Sequence, residues 1–428
     1  MSVLPLGPGE RVAHPDGEEV PVAVVGPHPL AAVIEGRRAV VWTDADGEVR
    51  AARDRCPHRR APLSAGTVVD GELHCPYHGW TYDGTGRCTL VPALGPDGRV
   101  PAKAQLELLE VPADLAAACA AAEADDAPRI ATADEPDASA AAPWLDGDTP
   151  GLERFWHPVA RIGEADDGLA VELLGRTWHL HHDGQTWSAT STDLGPAWGV
   201  EAHLDHLWLA PTEPLAPLPA VPEWGAEGWY HRRMDRAEGR FGVGLLLDNQ
   251  LDAGHFAFVH EGTFGTPEAA LLPPAEIERT GTTVTSILRV PIEAANDPEA
   301  LAGARDLLQH RVMRYQFAAP LWLRIQLDYE DMGGNTLILF AITPLGAGRG
   351  RMDVDLLFRQ PGGFTDSQLA DRLAFEHQVV GEDLRLQRLF EDLTLPLDPT
   401  AELHTKADRL SLQCRQVLRE LLTAATDG

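Results

Sequence analysis

The sequence predicts an α+β protein: an N-terminal antiparallel β domain, a cysteine-free β-rich insertion, and a C-terminal α+β domain with a mixed sheet and flanking helices. Three observations carry this prediction. Short strand-like runs (VPVAVV, AAVI, AVVWT, EVRAAR) fill residues 20 to 110 between Gly, Pro and Asp turns, as in a small antiparallel sheet. Residues 113 to 143 then become Ala- and Asp-rich and almost lose large apolar side chains. Such a stretch reads as a short helix and a linker. Beyond residue 240, helical and alternating periodicities mix, as expected where helices pack on a sheet. The units implied are 1–112, a linker over 113–150, an insertion over 151–212, and 213–428.

Each later element has its own pattern. FWHPVARIG, LAVELLG and RTWHLHHDGQTWSA give the insertion its strands. Gly175 through Asp183-Gly184 to Ala189 echoes Gly36 through Asp46-Gly47 to Ala51, which suits either a partial duplication or two unrelated hairpins. LLLDNQLDAGHFAFVHEG has helical spacing, and residues 282–292, 311–329, 335–343 and 351–358 alternate as strands. DSQLADRLAFEHQVVGEDLRLQRLFEDL predicts a long helix capped at Asp366-Ser367, with Leu369, Leu373, Val380, Leu384, Leu386, Leu389 and Phe390 on one face. The last 25 residues predict another helix.

The composition excludes several function classes. The 428 residues are 44% hydrophobic and 23% charged, ordinary for a folded chain of two or three domains. A formal net charge of -30 disfavours nucleic acid and anionic membrane as partners. Cys56, Cys75, Cys88, Cys119 and Cys414 are too sparse, and odd in number, for a disulfide framework. The N-terminus lacks the basic and apolar regions of a signal peptide, and no apolar run reaches the roughly 18 residues of a membrane span. The expectation is a soluble cytoplasmic protein of bacterial composition.

The sharpest motif is Cys56-Pro-His58, sixteen residues, then Cys75-Pro-Tyr77-His78. Two thiolates and two imidazoles suit a tetrahedral zinc ion. They also suit a pair of irons, two Cys on one and two His on the other, in which neutral imidazoles make reduction easier. With the Pro after each Cys, Gly66, the Asp70-Gly71 turn and Gly79-Trp80, residues 30 to 95 resemble a Rieske domain, which implies a 2Fe–2S cluster on Cys56, His58, Cys75 and His78. Cys88 lies outside the two pairs and reads as a plain thiol.

A second motif, Asn249-x2-Asp252-x2-His255-x4-His260, follows downstream. Together the two motifs resemble the Rieske non-haem iron oxygenases. That resemblance implies one Fe(II) held by His255, His260 and a carboxylate far downstream, with positions left open for O2. Val380-Gly381-Glu382-Asp383 resembles the carboxylate segment, giving Asp383, with Glu382 and Glu376 as competitors. The resemblance also makes Asp252 an inter-subunit electron bridge between His78 and the next subunit's His255, in a homotrimer. Asn249, on the same helix face as Asp252, falls near the iron.

The implied activity is oxidation of a small apolar or aromatic compound with O2 and two electrons from a ferredoxin and an NAD(P)H-dependent reductase. Lack of a small β partner leans towards a monooxygenase rather than a dioxygenase. The alternative is an electron-transfer protein that keeps the cluster and lacks the catalytic iron. The insertion departs from the family pattern, in which the catalytic domain begins soon after the Rieske domain. Three further features carry less. His179, His181 and His182, with His157 nearby, fit a surface strand better than a metal site. GAGRGR at 346–351 lacks the rest of a phosphate loop and reads as a hairpin turn. Arg53, Arg55, Arg59 and Arg60 form a basic cluster that suits either ferredoxin docking or internal ion pairs.

Overall fold

The computed structural model describes residues 12–13, 19–20, 28–113, 143–294, 300, 302–304, 306–330 and 333–427. Most of the expected linker, with its Ala-rich helix and Cys119, lies outside them.

Two small antiparallel sheets make the N-terminal unit. The first runs Leu108–Leu109, Val49–Arg53, Arg37–Thr43, Leu30–Ile34. Its edge strand buries Leu30, Ala32 and Ile34 in strict alternation, as the period of two requires. The second runs Thr67–Val69, Glu72–His74, Thr81–Tyr82, Cys88–Leu90. Asp70 and Gly71 turn its first hairpin with φ of 52° and 79°. Positive φ at both central residues matches strand twist in a two-residue hairpin, which explains the Asp-Gly pair.

The insertion forms a sheet of Ala170–Leu173, Arg176–His182, Trp187–Ser191 and Gly195–Pro196, and a second of His157–Arg161, His206–Ala210 and Gly199–His203. Val159, Leu173, Trp178, Leu180, Leu207 and Leu209 close a core between them. The three-strand meander of the first domain recurs here. Its fourth strand follows at once, whereas Leu108–Leu109 returns from beyond the second sheet. Leu174 and Gly175 donate backbone hydrogen bonds to Pro344 and Leu345, tying the insertion to the large sheet.

That large sheet has eight strands. Tyr230–Arg233 and Ala237–Arg240 pair with Arg349–Arg359. Then come Asn335–Gly346, Trp322–Tyr329, Leu308–Ala318, Thr283–Glu293 and Glu276–Thr280. The α+β class holds, but every strand pairing in this sheet is antiparallel, not mixed. Its last six strands follow one another as a meander, and a parallel pair would need a crossover connection of about a dozen residues. The stretch expected as strand over 311–329 is two strands, broken at Ala319-Pro320-Leu321. GAGRGR is a hairpin, as expected.

Four helices matter for the site: α1 (Val243–Gln250), α2 (Phe256–Val259), α3 (Asp366–Gln387) and α4 (Arg409–Asp427). Every residue of α1 is buried, including Asp248, Asn249 and Gln250, so each polar side chain there needs a partner. The N-cap of α3 is Thr365, one residue before the expected cap. The Thr365 hydroxyl accepts from Gln368 N at 3.2 Å, and the Gln368 side chain accepts from Thr365 N at 2.9 Å, a reciprocal capping box. Its buried face carries Leu369, Glu376, Val380 and Asp383, so two carboxylates seven residues apart point the same way. No helix among the described residues is long and apolar enough to cross a membrane.

Candidate active site

The loops after Val49–Arg53 and Glu72–His74 bring the first four donors together in the core. His58 stacks on Trp80 with ring centroids 4.5 Å apart and planes 9° apart, and the His58 and His78 rings lie 4.5 Å apart. Each imidazole has its Nε2 held by a carboxylate, His58 by Asp408 at 2.9 Å and His78 by Asp252 at 2.7 Å. Their Nδ1 atoms are buried without a hydrogen-bond partner. Buried nitrogens left open, with the opposite nitrogens anchored, are what imidazoles need to act as ligands. Among the described residues, three or more His, Cys, Asp or Glu donor atoms gather within 4.8 Å only at His255, His260 and Asp383. Cys56, His58, Cys75 and His78 therefore do not converge on one point as a single zinc requires. They fit a two-iron cluster.

Electrostatics suits thiolate ligands. Burial works against ionising Cys56, yet the Cys75 thiol and His58 bring its pKa down to about 6. Burial and the Cys56 charge push Cys75 well up in the absence of metal. Burial holds His78 down at about 4, so its ring is neutral beside a charged Asp252. Cys88 is a buried thiol donating to the Leu90 carbonyl, pushed up to about 12 by burial. Gly79 sits at φ 65°, and a Cβ there would meet the Phe258 ring at 2.2 Å. This glycine lets the cluster loop lie directly on α2.

Arg59 and Arg60 face inward and do not offer a docking surface. Arg59 pairs with Asp248, donates to Asp408 at 2.8 Å and to the Ser411 hydroxyl at 3.2 Å. Arg60 pairs with Asp392, bonds Glu402 at 2.8 Å and donates to the Thr394 carbonyl. Arg415 on α4 completes the network, bonding Asp248 at 2.8 and 3.0 Å and Glu402 at 2.7 Å. Burial of these arginines in ion pairs overturns their ferredoxin-docking role and fastens the iron–sulfur loops to the C-terminal domain.

The same network makes an acid-labile seam. Burial raises the Glu402 pKa, but Arg415 and Arg60 outweigh it and hold the carboxyl at about 2. A depressed folded-state pKa contributes stability above the unfolded value of about 4.3, lost as pH falls towards the folded value. Unfolding followed by circular dichroism should show stability falling between about pH 4.3 and pH 2. Glu402→Gln should flatten that slope.

His255 and His260 flank α2, and Asp383 faces them from α3. The two Nε2 atoms lie 3.2 Å apart, and each is 3.4 Å from Asp383 Oδ1. All three residues are buried. Three donor atoms that close, all facing one point, fit a single cation. Asp383 is positioned from α1: Asn249 Nδ2 donates to its Oδ1 at 2.8 Å and Gln250 Nε2 to its Oδ2 at 2.9 Å. Burial raises its pKa, but the His260 and His255 rings hold it well below the carboxylate range. Burial would lower His260, yet Asp383 and Glu382 raise it to about 9.

Both competing carboxylates stand apart from this group. Glu382 accepts from His260 Nδ1 at 2.8 Å and from Thr263 Oγ1 at 2.6 Å, which fixes the ring's orientation and aims Nε2 inward. Glu376 lies fully buried beside the group, raised to about 7 by burial. The three donors, Glu376, Arg311, Phe256, Phe264, Met313, Phe340 and other mostly apolar side chains line a partly open pocket. Phe256, Phe264, Ile325 and Phe340 reach it, whereas Phe241, Val243, Leu246 and Leu323 are core.

Two side chains link the sites. Tyr77, between the second pair of cluster residues, donates to Asn249 Oδ1 at 2.7 Å, and Asn249 continues to Asp383. Asp252 Oδ2 lies 2.7 Å from His78 Nε2 within this chain. Asp252 does not hydrogen-bond His255 of this chain: its Oδ1 accepts from Gly254 N at 2.6 Å, and His255 Nδ1 is buried without a partner among the described residues. The short Asp252-Ala253-Gly254 turn satisfies the carboxylate locally before it can reach the imidazole.

Asp252→Asn should raise the midpoint potential of the loaded cluster by on the order of 100 mV, from one charge lost at an effective dielectric of about 20. Removing an anion beside His78 favours electron uptake, and protein-film voltammetry would read the shift.

Asp408, Tyr77, Gln250 and Arg311 were not singled out from the sequence. Asp408 lies 350 positions from His58, with no motif to mark it. Tyr77 was inside the motif itself, and its hydroxyl was the available signal. Elsewhere, His179, His181 and His182 are exposed on their strand, and His157 is buried against the Leu152 carbonyl at 2.7 Å.

Two family models match this chain. Residues 18–111 match the model for the Rieske [2Fe-2S] domain, and residues 242–424 match the vanillate O-demethylase oxygenase C-terminal domain. Protein TIC 55 of Arabidopsis thaliana is 41% identical over 83 residues, 19% of this chain and 15% of that protein. The 4beta-methylsterol monooxygenase of Methylococcus capsulatus is 54% identical over 56 residues, 13% of this chain and 15% of that protein. Methylxanthine N1-demethylase NdmA of Pseudomonas putida is 49% identical over 79 residues, 18% of this chain and 22% of that protein. The chain thus spans less than a quarter of each relative. The solved structure of Pseudomonas putida CBB5 NdmA with caffeine is 20% identical, with a TM-score of 0.45, covering 97% of this chain and 88% of that one. With an iron–sulfur domain ahead of an oxygenase C-terminal domain, the chain belongs to the Rieske non-haem iron oxygenase family.

Proposed function

We propose that this chain is the oxygenase component of a Rieske monooxygenase system that oxidises a small, largely apolar organic compound, by hydroxylation or by demethylation. The observation that carries the reading is the buried group of His255, His260 and Asp383, which opens onto a mostly apolar pocket and stands beside the cluster loops. Cys56, His58, Cys75 and His78 would hold the 2Fe–2S cluster, and His255, His260 and Asp383 the mononuclear iron. When bound, these groups supply stored electrons and O2 activation, chemistry that side chains alone do not offer.

The chain's own residues do the rest. Glu382 and Asn249 orient two of the three ligands. Asp408 and Asp252 fix the cluster imidazoles in one tautomer. Phe256, Phe264 and Phe340 exclude water from the pocket and present an apolar wall to the substrate. Asp252, which holds His78, is proposed as the electron bridge, with Tyr77 and Asn249 as a hydrogen-bonded link from the cluster loop to Asp383. A ferredoxin and an NAD(P)H-dependent reductase would supply the electrons, in the cytoplasm. The homotrimer is a proposal about assembly that this internal link does not require, and sedimentation would read it.

The test is turnover with a surrogate ferredoxin and reductase across a panel of small aromatic and methoxylated compounds. The expected result is compound-dependent O2 uptake with a product carrying one added oxygen or lacking one methyl. Iron-replete protein that passes electrons onward without O2 uptake on any compound would favour the electron-carrier alternative.

A further inference from the structure

Arg311 is a buried cation with no hydrogen-bond or ion-pair partner among the described residues. It lies on the inward face of Leu308–Ala318, between Gln309 and Met313 in the alternation, and is 4% exposed. Its guanidinium carbon sits 4.4 Å from the Phe264 ring centroid and 5.4 Å from that of Phe256. Among the described residues it makes no hydrogen bond and no ion pair, and its Nε is buried unpaired. Every other buried arginine near the iron sites, Arg59, Arg60 and Arg415, has at least two carboxylate partners. Arg311 instead lines the pocket that holds His255, His260 and Asp383. Glu376 lines the same pocket and makes no ion pair with Arg311; burial raises that carboxyl to about 7 against the opposing pull of Arg311 and Arg372.

A desolvated guanidinium is unfavourable unless an anion answers it, and its planar fork matches a carboxylate or sulfonate. The two phenyl rings hold the guanidinium carbon beside the pocket by cation–π contact. We infer that the substrate is a small organic anion, an apolar ring system bearing a carboxylate or sulfonate, and that Arg311 binds this group within the pocket. The inference rests on the oxygenase reading and narrows it: the anionic group is the handle that presents the apolar part of the substrate to the metal site.

The test uses iron-replete protein under anaerobic conditions, titrated calorimetrically with benzoate, benzenesulfonate, benzamide and benzylamine as ring-matched probes. At least one of the two anions should bind more tightly than benzamide, by on the order of 10- to 100-fold, and benzylamine should bind weakest. The carboxylate and sulfonate arms tell the two oxyanions apart. Arg311→Met should remove the advantage, and Arg311→Lys should keep the order at reduced strength. Ligand-free Arg311→Met should melt no lower than the parent, since an unpaired buried charge has been removed.

Equal binding of anion and amide, preference for the amine, or no binding at millimolar concentration would overturn the inference. So would a Met variant that keeps the anion preference, or one that melts several degrees lower and so marks Arg311 as structural. Iron and sulfide content, measured on the same preparation, separates this failure from a failure of the oxygenase reading, which would show as an absent third iron.

Discussion

Asp383→Ala is expected to abolish substrate-dependent oxygen uptake, a loss of more than about 100-fold, while the visible spectrum of the reduced cluster stays unchanged. Loss of a partner that merely orients a ligand costs about 10- to 100-fold, and a ligand itself costs more. The carboxylate also accepts from Asn249 and Gln250, so the alanine variant strands two buried donors at about 1–3 kcal/mol each. Asp383→Asn separates the two effects. It keeps the volume and one acceptor, so it should melt closer to the parent yet remain inactive. If Asp383→Ala turned over normally and Glu376→Ala or Glu382→Ala did not, the carboxylate ligand would have been misassigned.

The second large effect concerns the seam between the iron–sulfur loops and the C-terminal domain. Asp248 on α1 faces Arg59 and Arg415 and accepts from Ser411. Asp248→Ala leaves two guanidinium groups facing each other in the core. Removing one partner of a buried ionic network costs about 3–5 kcal/mol. For a domain of about 200 residues that lowers the melting temperature by roughly 10 °C, which calorimetry would show. Asp248→Asn should fall between, because the amide oxygen still accepts one hydrogen bond. An unchanged melting temperature would mean that the seam is solvated in solution and that Arg59 is open to other partners.

What the sequence made legible follows from where the information sits. Cys56, His58, Cys75 and His78 lie in two tight pairs, and His255 and His260 lie five residues apart across one short helix. Local spacing alone could bring these together. Asp383 is more than 120 residues from His260, and only resemblance chose it over Glu376 and Glu382, which share its helix. The structure shows why three carboxylates on one helix differ. Asp383 faces the two Nε2 atoms, Glu382 reaches the far side of His260, and Glu376 turns into the pocket.

The residues that no motif marked are those defined by long-range packing. Asp408 and Asp248 are ordinary acids in a chain of net charge -30, and only the fold brings them to His58 and Arg59. Arg59 and Arg60 read equally well as a docking patch until their partners on α1, α4 and the preceding loop are seen. The antiparallel pairing of the large sheet was missed for a related reason. Its strands were visible as alternating runs, but pairing direction depends on the connections, and only the one at 346–351 was read as a hairpin.

The central claim is that one chain holds two different iron sites. It is tested most directly by counting iron and acid-labile sulfide in anaerobically purified protein, beside the EPR spectrum after dithionite reduction. The account predicts a Rieske signal with three irons to two sulfides per chain. Two irons to two sulfides, unchanged after anaerobic addition of Fe(II), would contradict it and leave an electron carrier in place of an oxygenase.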